Sequence, residues 1–226
     1  MLAQQFPDAY DGIMAAAPAV HWAEFYMSTV WPTFYMDLTG QYPRPCELQQ
    51  LTKIAIKACD DIDGLRDGLI SDPDACREQF DPFKSVGTKF VCSDTGSEMK
   101  LTKAAAAVAN ATWNGPEFSN GKPLWHGFEI GADLASLAPT KCTDDVCVAT
   151  GQPGITVMYQ AFIDKDLSSN VTKLTHPEFD SMYRSLKRVF ASSMATDERD
   201  LSAFRNSGGK MITFHGLVSE LPKLEN

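Results

Sequence analysis

No stretch of 18 apolar residues occurs in the chain, so no segment is long enough to cross a bilayer as a helix. Positive charge is also short. Lys and Arg number 20 against 29 Asp and Glu, a formal net charge of -9, with a pI near 4.9. That balance disfavours nucleic acid or an anionic membrane surface as a partner. Histidine is scarce, with four in 226 residues. The close cysteine pairs Cys59/Cys76 and Cys142/Cys147 have no His or second Cys at zinc-finger spacing, which argues against zinc. Internal repeats and low-complexity linkers are absent. The N terminus, MLAQQFPDAYDG, lacks the basic and apolar regions of a secretory signal.

What is present suits a globular protein with a real core. The length allows one large domain or two modest ones, and 44% hydrophobic with 22% charged residues is ordinary. Six cysteines, at 46, 59, 76, 92, 142 and 147, accompany two glycosylation sequons, at Asn110 and Asn170. An even cysteine count with sequons points to the secretory pathway. The missing leader conflicts with this: either the protein is not secreted, or the chain lacks its true beginning.

Residues 11–20, DGIMAAAPAV, read as a short buried strand ending at Pro18, and LAQQFP before it as the tail of a helix. The aromatic-rich stretch 21–36, broken by Pro32, suits a core contact or a cavity wall. Pro45 opens a helical pattern with Leu48, Leu51, Ile54, Ala55 and Ala58 on one face, leading to Cys59. Thr102 and KAAAAVANA predict another helix, stopped at Asn114-Gly115-Pro116. Thr175 and Glu178 have capping-box spacing, and Phe179, Met182, Tyr183, Leu186, Val189 and Phe190 follow at helical spacing. KMITFHG, after Gly208-Gly209, predicts a strand. Two strands roughly 190 residues apart do not make a complete sheet domain.

The segment CDDIDGLRDGLISDPDAC, residues 59–76, gathers six aspartates and one arginine between two cysteines. Unpaired, these carboxylates repel one another, so either water screens them or a cation sits among them. Asp60, Asp63 and Asp67 alternate with Leu65 and Leu69 so that three carboxylates and two backbone carbonyls can face one centre. Hard oxygen donors on a flexible loop suit calcium, which takes 6–8 oxygens at about 2.3–2.6 Å. Gly64 and Gly68 permit the tight turns that wrapping requires. The spacing is not that of an EF-hand, and magnesium resists all-protein cages. On residue types alone, a solvated acidic loop and a calcium site both remain open.

Several stretches together resemble the tannase/feruloyl esterase family of serine esterases, in its fungal tannase-like branch. They are LAQQFPDAYDGIMAAAPA, CDDIDGLRDGLISDP, AAAAVANATWNGP with LWHGFEIGADLA, and DERDLSAFRNSGGKMITFHGL. The resemblance implies an α/β-hydrolase fold carrying a large, mainly helical inserted lid. Here that means hydrolase-core fragments at 1–20 and 195–226 around a lid at 21–194. It implies a calcium ion on Asp60, Asp63 and Asp67 and the carbonyls of Leu65 and Leu69, the set the spacing offers. It also implies disulfides Cys59–Cys76 and Cys142–Cys147. Lys100 stands where many members carry a cysteine, which leaves Cys92 either free or joined to Cys46.

The family hydrolyses aromatic esters, such as gallate or hydroxycinnamate esters, with a Ser-His-Asp triad. Its nucleophile lies in a Gly-Cys-Ser-x-Gly-Gly elbow upstream of the stretch matching Met1-Leu-Ala-Gln-Gln; neither that elbow nor Gly-x-Ser-x-Gly occurs in this sequence. Ser219 stands where the triad aspartate is expected, and no match to the triad histidine occurs before Asn226. Glu220 as a displaced acid would have no histidine to orient, and His215 matches no catalytic base. His21, His126 and His176 are read as structural or surface groups. The expectation is therefore a fragment of a secreted carboxylic ester hydrolase, inactive alone, with no catalytic residue assigned. The competing reading is a non-catalytic, calcium-stabilised secreted module that binds phenolic ligands.

Overall fold

A computed structural model describes residues 1–151, 153–169, 173–191 and 193–216. After a one-turn helix α1 (Leu2–Gln5), strand β1 (Gly12–Ala16) leads into the long helix α2 (Trp22–Thr39). Helices α3 (Pro45–Cys59) and α4 (Pro73–Gln79) flank the acidic segment. A 3₁₀ turn (Pro82–Ser85) and the hairpin β2 (Lys89–Val91) and β3 (Glu98–Lys100) precede α5 (Lys103–Asn114). Next come the one-turn helix α6 (Leu134–Leu137) and the hairpin β4 (Thr140–Thr143) and β5 (Val146–Ala149). Helix α7 (Pro153–Tyr159) runs into a π turn (Gln160–Asp164), and α8 (His176–Phe190), α9 (Ser202–Asn206) and β6 (Lys210–Phe214) follow.

β1 and β6 pair in parallel, Gly12 opposite Lys210 through Ala16 opposite Phe214, so the two ends of the chain share one sheet and everything between is a single excursion from it. The prediction of a buried strand at β1 is corrected: its residues alternate between exposed and half-buried, and β6 is exposed throughout. Among the described residues each strand has one neighbour, and Met14 and Ile212 remain 73% and 63% exposed.

Helix α2 is apolar on all sides and separates two cores. Ala23, Tyr26, Met27, Val30, Trp31 and Phe34 enter one, with Phe179, Met182, Leu186 and Phe190 of α8. Met36 enters the other, with Leu48, Leu51 and Ala55 of α3 and Ala105, Val108 and Trp113 of α5. The predicted break at Pro32 does not occur; the helix continues to Thr39 and ends at Gly40, whose φ of 66° supplies the left-handed cap. Packing on both flanks outweighs the backbone bond that proline cannot make. The Trp31 indole N–H donates to the Ala111 carbonyl at 3.0 Å, binding α2 to α5.

The helices signalled by capping and periodicity form where expected. Glu47 at N3 of α3 accepts the Arg44 N–H at 2.9 Å and, with its other oxygen, the Thr102 N–H at 3.0 Å, so one buried carboxylate serves the starts of both α3 and α5. Two positions depart from the pattern: Ala58 is exposed while Thr52 is buried, and Val189 of α8 is 40% exposed. Both lie off the stripe that meets the neighbouring helices. At the end of α5, a Cβ on Gly115 would come within 2.4 Å of the Gly127 nitrogen, and one on Gly127 within 2.1 Å of the Trp113 carbonyl oxygen. This close approach requires glycine at both positions.

Three disulfides fasten the helical part: Cys46–Cys92, Cys59–Cys76 and Cys142–Cys147. Two are those the family resemblance implied. The first settles the open alternative for Cys92. Asp94 lies against it and accepts the Cys46 N–H at 3.3 Å.

Candidate functional site

The acidic segment leaves the end of α3 and returns into α4, and the Cys59–Cys76 bond joins its two ends. Ile70, 6% exposed, anchors it to the core. Its aspartates divide by role. Asp72 caps α4 by accepting the Ala75 N–H at 3.0 Å, and Asp61 pairs with Arg66 at 2.9 Å in the open. The three carboxylates singled out by spacing organise the loop backbone: Asp60 Oδ1 accepts the N–H groups of Asp67 at 3.0 Å and Gly68 at 2.7 Å, Asp63 accepts that of Leu65 at 2.9 Å, and Asp67 that of Leu69 at 3.1 Å. The Leu65 N–H and the Ser71 side chain hold the Asp63 carboxyl below its usual value. Leu65 and Leu69 are 61% and 60% exposed, so neither side chain gains from burial.

Oxygens of Asp60, Asp63 and Asp67 do not form a set lying within 4.8 Å of one another. The one group of three His, Cys, Asp or Glu ligand atoms that close among the described residues is Cys46, Cys92 and Asp94. Both sulfurs there are committed to a disulfide. The acidic loop nevertheless offers the chemistry of a hard cation, three carboxylates and no soft donor, with Gly64 and Gly68 at φ of 90° and 82° turning the chain around it.

A second cluster follows β1 in the chain. At the ends of β1 and β6 the Ala17 N–H donates to the Phe214 carbonyl at 2.8 Å. From there the chain runs through Val20, whose carbonyl accepts the Thr196 N–H at 3.2 Å, to His21 and Trp22 at the start of α2. One turn into the helix stands Glu24, 5% exposed. Its Oε1 accepts the Tyr183 hydroxyl at 2.8 Å and the Lys187 ammonium at 2.9 Å, both from α8. Lys187 also lies 3.7 Å from Asp197, which lies 3.8 Å from His21. Burial alone would raise the Glu24 carboxyl, but the bonds from Lys187 and Tyr183 outweigh it, so the group sits below its ordinary value and is ionised. Lys187 is held above its ordinary value by the same bond. Burial, then Glu24, pushes the Tyr183 phenol up.

Glu24 Oε2 and the Trp22 indole nitrogen are buried and have no hydrogen-bond partner among the described residues. Both residues line a cavity of about 60 Å³, together with Leu186, Lys187, Phe190 and Asp197. An open cleft of about 570 Å³ adjoins it, sharing Ala191, Ala195 and Asp197 and continuing to Gln4, Gln5 and Arg199. Sequence reasoning did not single out Glu24. The signal for it was one carboxylate inside the apolar run WAEFYM, a buried-charge pattern that demands a partner.

The histidines do different things. His176 Nε2 meets the Glu117 carbonyl at 2.9 Å, and its ring lies 5.8 Å from Trp31. His126 is exposed beside Trp125, His215 Nδ1 contacts the Gly216 carbonyl at 2.9 Å, and His21 belongs to the cluster above. Asn110 lies within α5, half-buried, and Thr112 of its sequon is fully buried with its hydroxyl donating to the Val108 carbonyl at 2.8 Å. Asn170, Ser219 and Glu220 lie outside the described residues.

Comparison with known proteins gives a consistent result. Residues 1–220 match the family described as tannase and feruloyl esterase, and the chain belongs to that family. A probable feruloyl esterase of Arthroderma benhamiae is 32% identical over 225 residues, which cover 97% of this chain and 40% of that protein. A tannase of Aspergillus oryzae is 26% identical over 251 residues, covering 94% of this chain and 42% of its own length. Among solved structures, the tannin acyl hydrolase of Aspergillus niger superposes with a TM-score of 0.86 at 23% identity, over 96% of this chain and 40% of that one. Feruloyl esterase B of Aspergillus oryzae follows with a TM-score of 0.71 at 24% identity, over 96% and 41%. At these identities the likeness shows the fold, of α/β-hydrolase type. The chain spans about two fifths of the length of these relatives.

Proposed function

We propose that this member of the tannase and feruloyl esterase family is the lid-bearing part of a secreted aromatic carboxylic ester hydrolase, with residues 1–20 and 195–226 as core fragments and 21–194 as the lid. The observation that carries this reading is the position of the Trp22–Glu24 cavity. Its Trp22, Ala23 and Glu24 stand at the start of α2, the element that follows β1 in the chain, and in α/β sheets ligands bind outside the carboxyl ends of the strands. Aromatic and aliphatic walls with a few fixed polar groups suit an aromatic acyl group. Three disulfides fit an oxidising, extracellular compartment.

In this reading a seryl nucleophile would attack the ester carbonyl while a histidine moves the proton and an aspartate fixes its tautomer. The 226 residues contain no Gly-x-Ser-x-Gly, and we assign no catalytic residue among them. Their role is to bind and enclose the aromatic group. Incubation with methyl ferulate and methyl gallate tests this: saturable quenching of tryptophan fluorescence with no ferulate or gallate released is the expected outcome. Release of free acid with labelling by a fluorophosphonate probe would overturn the claim of inactivity, and failure of any aromatic ester to bind would overturn the site. The helical part has two cores and three disulfides of its own, which supports the competing reading of a non-catalytic module holding phenolic ligands. Free gallate or ferulate binding far more tightly than the esters would favour it.

The acidic loop is read as a calcium site, held by Asp60, Asp63, Asp67 and the carbonyls of Leu65 and Leu69. Support comes from the all-oxygen donor set, the two glycine turns and the exposed leucines, whose place in the loop burial does not explain. Calcium there would offset the repulsion among clustered carboxylates and stiffen the connection between α3 and α4.

A further inference from the structure

We propose that the Cys142–Cys147 bond is a site of thiol–disulfide exchange, at which a small dithiol opens the hairpin β4–β5 and releases its hold on the start of α3. The two cysteines stand directly opposite one another in the ladder, and their bond closes only 5 residues of chain. Exchange requires a thiolate to reach a sulfur, so access decides which bond reacts. Cys46, Cys59, Cys76 and Cys92 are at most 3% exposed, and Cys59 and Cys76 are part of a core. Cys142 and Cys147 are half-buried and belong to neither core. Of the three disulfides, this is the one a small reductant can reach.

The hairpin needs its disulfide because its turn is poorly made. Thr143 and Val146 are the last ladder pair, so Asp144 and Asp145 form the turn. Asp144 has a φ of 53°, a conformation that favours glycine. A two-stranded hairpin without further support is marginal in water. What the hairpin holds is the entry to α3. The Arg44 guanidinium donates to the Asp144 carbonyl and, at 2.9 Å, to the Asp145 carboxylate. The Thr140 hydroxyl donates to the Pro43 carbonyl at 2.7 Å. The Arg44 backbone N–H donates in turn to Glu47, the carboxylate that serves the starts of α3 and α5. In the exchange, one thiolate of the dithiol attacks a sulfur of the pair and expels the other as a thiolate. The second thiol, deprotonated, attacks the mixed disulfide and closes the reductant into a cyclic disulfide. Cys142 and Cys147 each take up a proton and end as thiols, and the dithiol is oxidised by two electrons. A loop this short adds the least chain entropy of the three when it is cut, so the tip of the hairpin opens while the body stays folded.

The test treats the folded full chain with graded dithiothreitol, traps thiols with iodoacetamide and maps the alkylated cysteines by peptide mass spectrometry. Cys142 and Cys147 should be alkylated at least about 10-fold faster than the other four. Trypsin added in parallel should cut after the exposed Lys141 about 10-fold faster once the bond is reduced, because the strand that shields the site has opened. Hydrogen exchange should quicken at the starts of α3 and α5 and stay unchanged in α8. The double replacement of Cys142→Ser with Cys147→Ser should show the fast cleavage without reductant and no further response to it. If that variant does not fold, the wild-type mapping and cleavage still decide. Equal or faster alkylation of the other four cysteines overturns the site, as does failure of Cys142 and Cys147 to react short of unfolding. Alkylation at Cys142 and Cys147 with unchanged cleavage and exchange overturns the opening of the hairpin.

Discussion

Phe34 and Phe179 stack with ring centroids 4.2 Å apart and planes 17° from parallel, joining the centre of α2 to the first turn of α8. Neither has any exposed surface. Phe179→Ala should lower unfolding stability by about 3–5 kcal/mol, the range for an aromatic removed from a packed core. Urea denaturation measures it, and a loss below about 1 kcal/mol would mean that the two helices are held by other contacts.

The Glu24–Lys187 bond predicts a pH dependence with two edges. The Glu24 carboxyl is held below its ordinary 4.5, so its contribution is complete above about 4.5 and is lost as pH falls through the lower folded value. Lys187 is held above 10.5, so its contribution is complete below about 10.5 and is lost as pH rises through the folded value. Lys187→Met should therefore cost about 2 kcal/mol at pH 7, a figure already reduced because the lysine side chain is 42% exposed. At pH 3 the difference between variant and wild type should shrink. A constant difference between pH 3 and pH 7 would refute the assignment.

Calcium at the acidic loop is testable by melting. In millimolar calcium the wild type should melt several degrees higher than in chelator, and Asp63→Ala should lose that response. Identical, calcium-insensitive melts in both proteins would remove the ion from the loop.

Cys46–Cys92 closes 46 residues of chain and Cys59–Cys76 closes 17. By loop-closure entropy the first should contribute about 4 kcal/mol and the second about 3 kcal/mol. The paired replacements Cys46→Ser with Cys92→Ser, and Cys59→Ser with Cys76→Ser, compared in guanidinium denaturation, should show that order. The second pair should also weaken any calcium response, since it frees both ends of the loop.

The parts legible in the sequence are those governed by local rules. α3, α5 and α8 are readable because Pro45, Thr102 and the Thr175–Glu178 pair announce their starts and a single apolar stripe follows. α2 is not, because a helix buried on every side has no stripe and Pro32 reads as a break. The acidic loop is visible as composition, and its two glycines announce the turns. The partners of Glu24 are invisible, since Tyr183 and Lys187 lie 159 and 163 residues along the chain and only the fold brings them together. The apolar composition of β1 suggests a burial the strand does not have, because exposure of a strand is decided by its neighbours.

The parallel pairing of β1 with β6 also predicts an order of folding. Its register joins residues about 200 positions apart, and closing so long a loop is slow because chain entropy opposes it before any contact rewards it. The helices between them make mostly closer contacts and can assemble first, bringing Val20 to Thr196 and Gln4 to the Thr196 and Glu198 carbonyls. On this expectation the insertion would act as a splint: the body between the two strands would bring their ends together, and damage to it would be felt first as a failure of the sheet.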